Sequence, residues 1–327
     1  MHYITDLLVL GCINGIMVTG LNIQYGYTGL LNFAFYTYVA VGAYVAGVTT
    51  MGKAPTGETY ILQWHLPWYL GMVAGGIGAA LVGALVFSFT VRRLRSDYLA
   101  IVTVAAAYIF YNLVNTATWL FDGANGIYNV PYITGNANLS IEGYSLVMLL
   151  VAAVVLALFV LVARRIFRSP LGRLLRSIRE DEAVVTAFGR TMWKPQLVVY
   201  VLGCFMAGVA GSLFVFYITA WSPSAFLPLE SFFLLAALII GGAGNYWGAL
   251  LGAFVVIEGL NELSRYVPVF GNFADAGAIR VMVIGVGLIL VLRFRSDGLI
   301  PESWLHWYRN TGSPREMLSA AREKVSR

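Results

Sequence analysis

The chain has 327 residues, of which 59% are hydrophobic and only 11% charged, with a formal net charge of +5. A soluble domain carries roughly 25% charged residues, and this chain has too few to cover a water-facing surface. That excludes a soluble globular enzyme, a disordered protein and a nucleic-acid binder of the ordinary basic kind.

A bilayer-spanning helix needs about 20 mostly apolar residues. In chain order the apolar runs are 4–23, 27–50, 66–91, 98–120, 144–163, 195–218, 231–243, 246–266 and 277–292. The first has the length of a signal peptide, but Met1-His2-Tyr3 gives no basic lead-in and Asp6 follows, so a retained helix is expected. The second run contains Thr28, Asn32, Tyr36, Thr37 and Tyr38. The seventh is short and runs into Gly241-Gly242-Ala243-Gly244. Either can be a broken or re-entrant helix, so an all-α polytopic bundle of eight to ten spans is expected.

Small residues recur at four-residue spacing, as in Gly71, Gly75, Ala79 and Gly83, in Ala207 and Gly211, and in Gly248 and Gly252. Such stripes let helix backbones approach each other in lipid. Cys12 and Cys204 sit alone in apolar runs and read as small core residues, with no neighbouring set of metal ligands.

All but three of the 21 basic residues fall in connections on one side, at 92–95, at 164–194 and beyond 292. The positive-inside rule makes that side cytoplasmic. Lys53, Arg265 and Arg280 remain opposite. Nine spans put residue 1 outside; one re-entrant segment would move it inside. The expected organisation is a membrane domain over 1–296, with a cytoplasmic segment at 164–194, and a cytoplasmic tail at 297–327.

The segment 168–189 carries the most information. Ser169-Pro170 fits a helix start with Pro at the first position. Leu171, Leu174, Leu175 and Ile178 recur at helical spacing, with Arg173, Arg176 and Arg179 on a neighbouring face. Glu180-Asp181-Glu182 leads through Ala183 into a second short run ending at Gly189, a residue suited to closing a helix. Two short helices along the membrane surface are expected. They read either as a snorkelling topology signal or as a docking element for a cytoplasmic partner. The length of the loop and the acidic triplet, which anionic headgroups do not attract, favour docking.

Other features bear on mechanism. The chain lacks a G-x-x-x-x-G-K-[ST] loop, so it cannot cradle ATP phosphates itself. Gly241, Gly242 and Gly244 are read as a helix break. Glu258 and Glu262 stand one helical turn apart near Arg265. They fit an ion-pair cluster at the outer interface or a contact for a solute's amino group. Non-helical backbone at membrane depth is tolerated only against protein or a water-filled cavity. Asn32, Phe33, Phe35, Tyr36 and Tyr38 on the broken second run are therefore candidates to line a pathway, with aromatic packing as the alternative. An ion-coupled secondary transporter or channel would want more carboxylates paired at mid-membrane. An enzyme would want clustered acid–base or metal groups, whereas His2, His65 and His306 are scattered. Neither catalytic residues nor metal ligands are assigned.

Arg168-Ser169-Pro170-Leu171-Gly172-Arg173, Arg176-Ser177-Ile178-Arg179-Glu180-Asp181-Glu182-Ala183 and Ala187-Phe188-Gly189 together resemble the coupling segment of permeases from branched-chain amino acid ABC importers. Further blocks resemble the same family in the same order: Gly26-Tyr27-Thr28-Gly29-Leu30-Leu31-Asn32-Phe33, Arg95-Ser96-Asp97-Tyr98-Leu99, Asn125-Gly126-Ile127, and Gly241-Gly242-Ala243-Gly244-Asn245 with Gly248 and Gly252. The resemblance covers roughly residues 20–295 and is nearest to the LivM type. Phe35 stands where the family usually has His, and Asn261-Glu262 where it often has Pro-Glu. The resemblance implies a bacterial or archaeal cytoplasmic (inner) membrane protein that pairs with a second permease of the LivH type. It also implies two cytoplasmic ATPase subunits that hold ATP and Mg, with the coupling helix at about 176–189 seated on one of them, and an extracytoplasmic solute-binding protein. The chain itself would bind no cofactor and no nucleic acid, only membrane lipid. Branched-chain amino acids would be the default solute, with other hydrophobic amino acids, urea and small aromatic acids as further options.

Overall fold

The computed structural model describes residues 2–52, 64–90, 96–135 and 140–259, together with 262, 282–283, 285–287, 289–290, 293 and 298–300. Most of the expected ninth span (277–292), Lys53, Arg265, Arg280, Asn261 and nearly all of the expected tail 297–327 lie outside the described residues.

Among the described residues the fold is helical, with one isolated antiparallel bridge between Ile127 and Trp221. Helix α1 (His2–Leu21) continues into a π-helical turn, Asn22–Gly26. There follow α2 (Phe35–Thr50), α3 (Trp68–Phe89), α4 (Ser96–Thr116), the short α5 (Thr118–Phe121) and α6 (Ile141–Arg168). Next come α7 (Pro170–Glu180), α8 (Glu182–Ala187), α9 (Trp193–Ile218), α10 (Pro228–Gly241) and α11 (Tyr246–Gly252). A second π-helical stretch, Ala253–Gly259, extends α11.

Six helical stretches are long and apolar enough to cross a bilayer: Tyr3–Gly26, Trp68–Phe89, Tyr98–Thr116, Glu142–Arg168, Trp193–Ile218 and Pro223–Gly241. The 16-residue α2 and the apolar stretch Tyr246–Gly259 are shorter. These two add to the six candidate spans among the described residues, as in a polytopic helical bundle.

The outer helices invert the pattern of a soluble helix. On α3 the large residues Leu70, Val73, Ile77, Leu81 and Leu85 are exposed, facing lipid. Gly71, Gly75, Ala79 and Gly83 on the opposite face are buried. The helix therefore packs by its smallest residues. A Cβ on Gly75 would lie 2.6 Å from the Gly42 carbonyl oxygen, and one on Gly208 would lie 2.6 Å from the Gly75 carbonyl. A Cβ on Gly42 would overlap the Gly208 backbone. Thus α2, α3 and α9 touch backbone to backbone, and dispersion over that tight seam replaces the hydrophobic drive that lipid removes. The centre is formed by α1, α2 and α9, with α3, α4 and α6 outside them and α10 and α11 flanking α1.

The two ends of the bundle differ. At one end lie the basic C-terminus of α6 (Arg164, Arg165, Arg168), α7, α8 and the start of α9, which the positive-inside rule makes cytoplasmic. Gly26 and Gly244 lie at that same end, tied to Arg179 and Asn22. At the other end Ser145 donates to Asp6 at 2.9 Å, and Ile127 and Trp221 exchange backbone hydrogen bonds at 2.8 Å. Exposed Trp64, Tyr69 and Trp119 on the outer side and Tyr98, Trp193 and Trp247 on the inner side form the aromatic belts of a spanning protein.

Candidate functional site

Three connected features at the inner half of the bundle could carry function: a strip below the lipid, a joint above it, and a cavity at mid-depth.

The strip is α7 and α8. Ser169 caps α7, its Oγ accepting from Gly172 N at 3.3 Å, and Pro170 takes the first helical position, where its missing N–H costs nothing. Leu175 and Ile178 are buried against the bundle. Asp181 caps α8, its Oδ1 accepting from Ala183 N at 2.8 Å and Val184 N at 3.2 Å. Gly189 closes that helix at φ 70°, a conformation that favours glycine, its N–H bonded to the Thr186 carbonyl. Arg173, Glu180, Glu182, Ala183 and Gly189 are exposed. So are two apolar side chains, Phe188 at 81% and Val184 at 49%.

Arg176 and Arg179 turn away from that surface. Arg176 folds onto the elbow between α6 and α7, its guanidinium 4.4 Å from the centre of the Phe167 ring. Arg179 reaches into the bundle and donates to the Gly26 carbonyl, the last residue of the π-helical turn after α1.

That turn is the joint. Asn22 in it accepts from Gly244 N at 2.8 Å, fastening the Gly-Gly turn between α10 and α11. Gln24 donates to the Tyr200 carbonyl at 2.8 Å and accepts from Asn32 Nδ2 at 2.8 Å. Asn32 lies in the non-helical stretch before α2, and its Oδ1 accepts from Ala34 N at 3.1 Å. Phe33 N donates to Thr103 of α4, and Tyr36 N to Ser231 of α10 at 3.0 Å. At the break in the second span the N–H groups of Phe33 and Tyr36 are thus satisfied by side chains of other helices and that of Ala34 by Asn32, in keeping with what an interior break requires. α10 stops at Gly241. Gly242 takes φ 123°, out of reach of ordinary residues, and the N–H groups of Leu299 and Ile300 pair with the Ile240 and Gly241 carbonyls.

The cavity has a volume of about 200 Å³. Its lining is polar at Asn14, Tyr36, Glu230 and Glu258 and apolar at Leu10, Phe214, Phe233 and Leu234. Glu258 is 3% exposed, and Asn14 Nδ2 donates to its Oε1 at 2.6 Å.

Of the residues proposed from the sequence to line a pathway, Tyr36 and Glu258 meet in this cavity. Asn32 belongs to the joint. Phe35 and Tyr38 are wholly buried, the latter sharing a 2.8 Å hydrogen bond with Tyr200. Phe33 stacks on Phe232 at 4.3 Å between ring centres, and Glu262 is half-buried beyond the cavity. Asn14, Gln24 and Glu230 belong to no motif. Their only mark in the sequence is a polar side chain in or beside an apolar run, which is costly in a membrane and hence informative.

A helical bundle with an apolar exterior, an interior helix break and a capped amphipathic strip at its basic end is the architecture of a polytopic membrane protein. The family model described as "Branched-chain amino acid transport system / permease component" matches residues 3–292, and the chain belongs to this family. It is similar to the high-affinity branched-chain amino acid transport system permease protein LivM of Escherichia coli K12, at 29% identity over 90% of this chain and 69% of the relative. It is similar also to the probable LivM of Methanocaldococcus jannaschii, at 28% identity over 88% of this chain and 90% of the relative. The probable LivH of that organism matches at 24% identity over 87% of this chain and 88% of the relative. No solved structure matches the chain. The protein is a permease subunit of an ABC importer, of the LivM type, in the inner membrane. Its relatives are transport permeases, not enzymes.

Proposed function

We propose that the chain forms half of the membrane core of an importer for branched-chain or other hydrophobic amino acids. A second permease of the LivH type completes the pathway, two separate ATPase subunits hydrolyse ATP beneath it, and an extracytoplasmic binding protein delivers the solute. The membrane domain extends through residue 296 and the stretch 297–327 is a cytoplasmic tail. ATP and Mg are held by the ATPases.

The observation that carries this reading is the underside of α7 and α8. Two aromatic or branched residues, Phe188 and Val184, are exposed on a strip that also exposes Arg173, Glu180 and Glu182 at the basic end of the bundle. An apolar centre with a charged rim is the anatomy of a protein interface. A topology signal needs no exposed phenylalanine. The names of the relatives support the solute class, and the lack of a phosphate-binding loop in the chain supports separate ATPases.

The test is co-purification. Phe188→Asp removes the apolar anchor without touching a buried contact, and anchors of this kind are worth about 2 kcal/mol or more. The ATPases are expected to be lost from the variant complex in detergent, while the two permeases stay together and the chain elutes as a folded monodisperse species. Retention of the ATPases at wild-type stoichiometry would remove the docking role from this strip. ATP-driven leucine uptake by proteoliposomes of the complete complex tests the whole reading; uptake without ATP would defeat it.

A further inference from the structure

Three irregularities of the backbone converge on one place. α2 starts late, at Phe35, after the break in the second span. α10 starts at Pro228, below a 3₁₀ turn at Pro223–Phe226. The helix after the Gly-Gly turn loosens into π-helical form over Ala253–Gly259. The first turns of α2 and α10 contribute Tyr36 and Glu230, and the π-helical stretch contributes Glu258. All three line the 200 Å³ cavity, closed by Asn14 from the middle of α1. Discontinuous helices that meet around a mid-membrane cavity are how transporters build solute sites, and π-helical insertions gather at functional sites.

The chemistry of the walls is divided. Two carboxylates, Glu230 and Glu258, are among the lining residues, and Asn14 Nδ2 donates to one oxygen of Glu258 at 2.6 Å. Leu10, Phe214, Phe233 and Leu234 make the apolar part. Drug-sized pockets run to about 300–1,000 Å³; this one has room for a smaller molecule. An ionisable side chain inside a membrane is costly and marks a candidate functional position.

We propose that this cavity receives the protonated amino end of the solute at Glu258, with Glu230 adding to the negative field and the apolar wall taking a short branched side chain. The ligand class is a primary ammonium on a small aliphatic body, and its own carboxylate contributes little to binding at this point. The site rests on the reading of the protein as an amino acid importer and adds to it which end of the solute this chain recognises.

The experiment uses the assembled complex, without binding protein, in nanodiscs. Ala225, a half-buried residue at the cavity, is replaced, Ala225→Cys; the native Cys12 and Cys204 are buried. The new thiol is labelled with a small cationic methanethiosulfonate. Leucine and isopentylamine are expected to slow labelling, and 4-methylpentanoate, which lacks the amine, is not. Glu258→Gln is expected to raise the isopentylamine concentration for half-protection about tenfold or more, the usual value of a charge-assisted hydrogen bond. Glu258→Asp, which keeps the charge, is expected to retain most of the protection. A purely structural Glu258 would not distinguish the amine from the acid. Equal protection by 4-methylpentanoate, undiminished protection in Glu258→Gln, or no protection by any of the three compounds overturns the proposal. If Glu258→Gln fails to assemble, the amine-against-acid comparison in the parent complex decides alone. ATP-driven leucine uptake by the unsubstituted complex is read separately, so failure of the importer reading is distinguishable from failure of this site.

Discussion

Arg179→Met is expected to leave the importer assembled and hydrolysing ATP while cutting solute uptake about tenfold. The side chain leaves the exposed face of α7 and donates to the Gly26 carbonyl at the end of the joint. Its stem also lies against Gly29, where a Cβ would sit 3.3 Å from Arg179 Cγ. Methionine keeps the stem and removes the charged hydrogen bond, worth about 1.5–3 kcal/mol, or roughly a factor of ten or more in the balance between two states. The same joint holds Gln24, and through it Asn32 and the Tyr200 carbonyl. A movement of α7 therefore reaches the broken span through two hydrogen-bonded side chains, and packed elements of this kind switch between arrangements rather than bend. The measurement is the ratio of leucine imported to ATP hydrolysed in proteoliposomes. Arg164→Met, exposed near the end of α6 and outside the docking strip, is the control and should leave the ratio unchanged. An unchanged ratio in Arg179→Met would remove the link.

The second large effect is on stability, and its sign is the informative part. Gly→Ala in a helix interior ordinarily stabilises by about 1 kcal/mol. Gly42→Ala is expected to do the opposite, because the new Cβ would overlap backbone atoms of Gly208, which have no rotamer with which to yield. Overpacking of this sort costs about 1–3 kcal/mol. Gly285→Ala, exposed and with nothing within 4 Å of the added carbon, should be neutral or slightly stabilising. Thermal unfolding of the two variants in the same detergent, with yield of monodisperse protein as a second readout, compares them. Equal melting temperatures would mean that the seam between α2 and α9 is looser than its geometry indicates.

What could be read from the sequence depended on the range of the physics involved. The ends of α7 and α8 were legible because capping is local: Ser169, Pro170, Asp181 and Gly189 act within three residues of themselves. The small-residue face of α3 was legible because its period is that of a helix. The break before α2 showed as polar residues in an apolar run. The different fates of Arg173 and Arg179 were harder to see, since a spacing of three looks like one face. At about 100° per residue, however, six residues leave them about 120° apart, enough to put one in water and the other in the bundle. The cavity was the least legible. Glu258 is 244 positions from Asn14, its hydrogen-bond partner, and no local pattern records that pairing. Within the expected fourth span, 98–120, α4 ends at Thr116 and a separate short helix, α5, begins at Thr118.

The helices differ in length, and this has a bearing on the lipid. α6 has 28 residues and extends about 42 Å, beyond a hydrocarbon slab of about 30 Å, whereas the 16-residue α2 reaches only about 24 Å. α2 is enclosed by its neighbours and does not sense bilayer thickness. α6 has an exposed apolar side and ends in the elbow that carries α7. Longer or shorter acyl chains alter the tilt of such a helix and so raise or lower the elbow. Turnover of the importer should therefore vary with the chain length of the surrounding phospholipid, even where every residue of the pathway is unchanged.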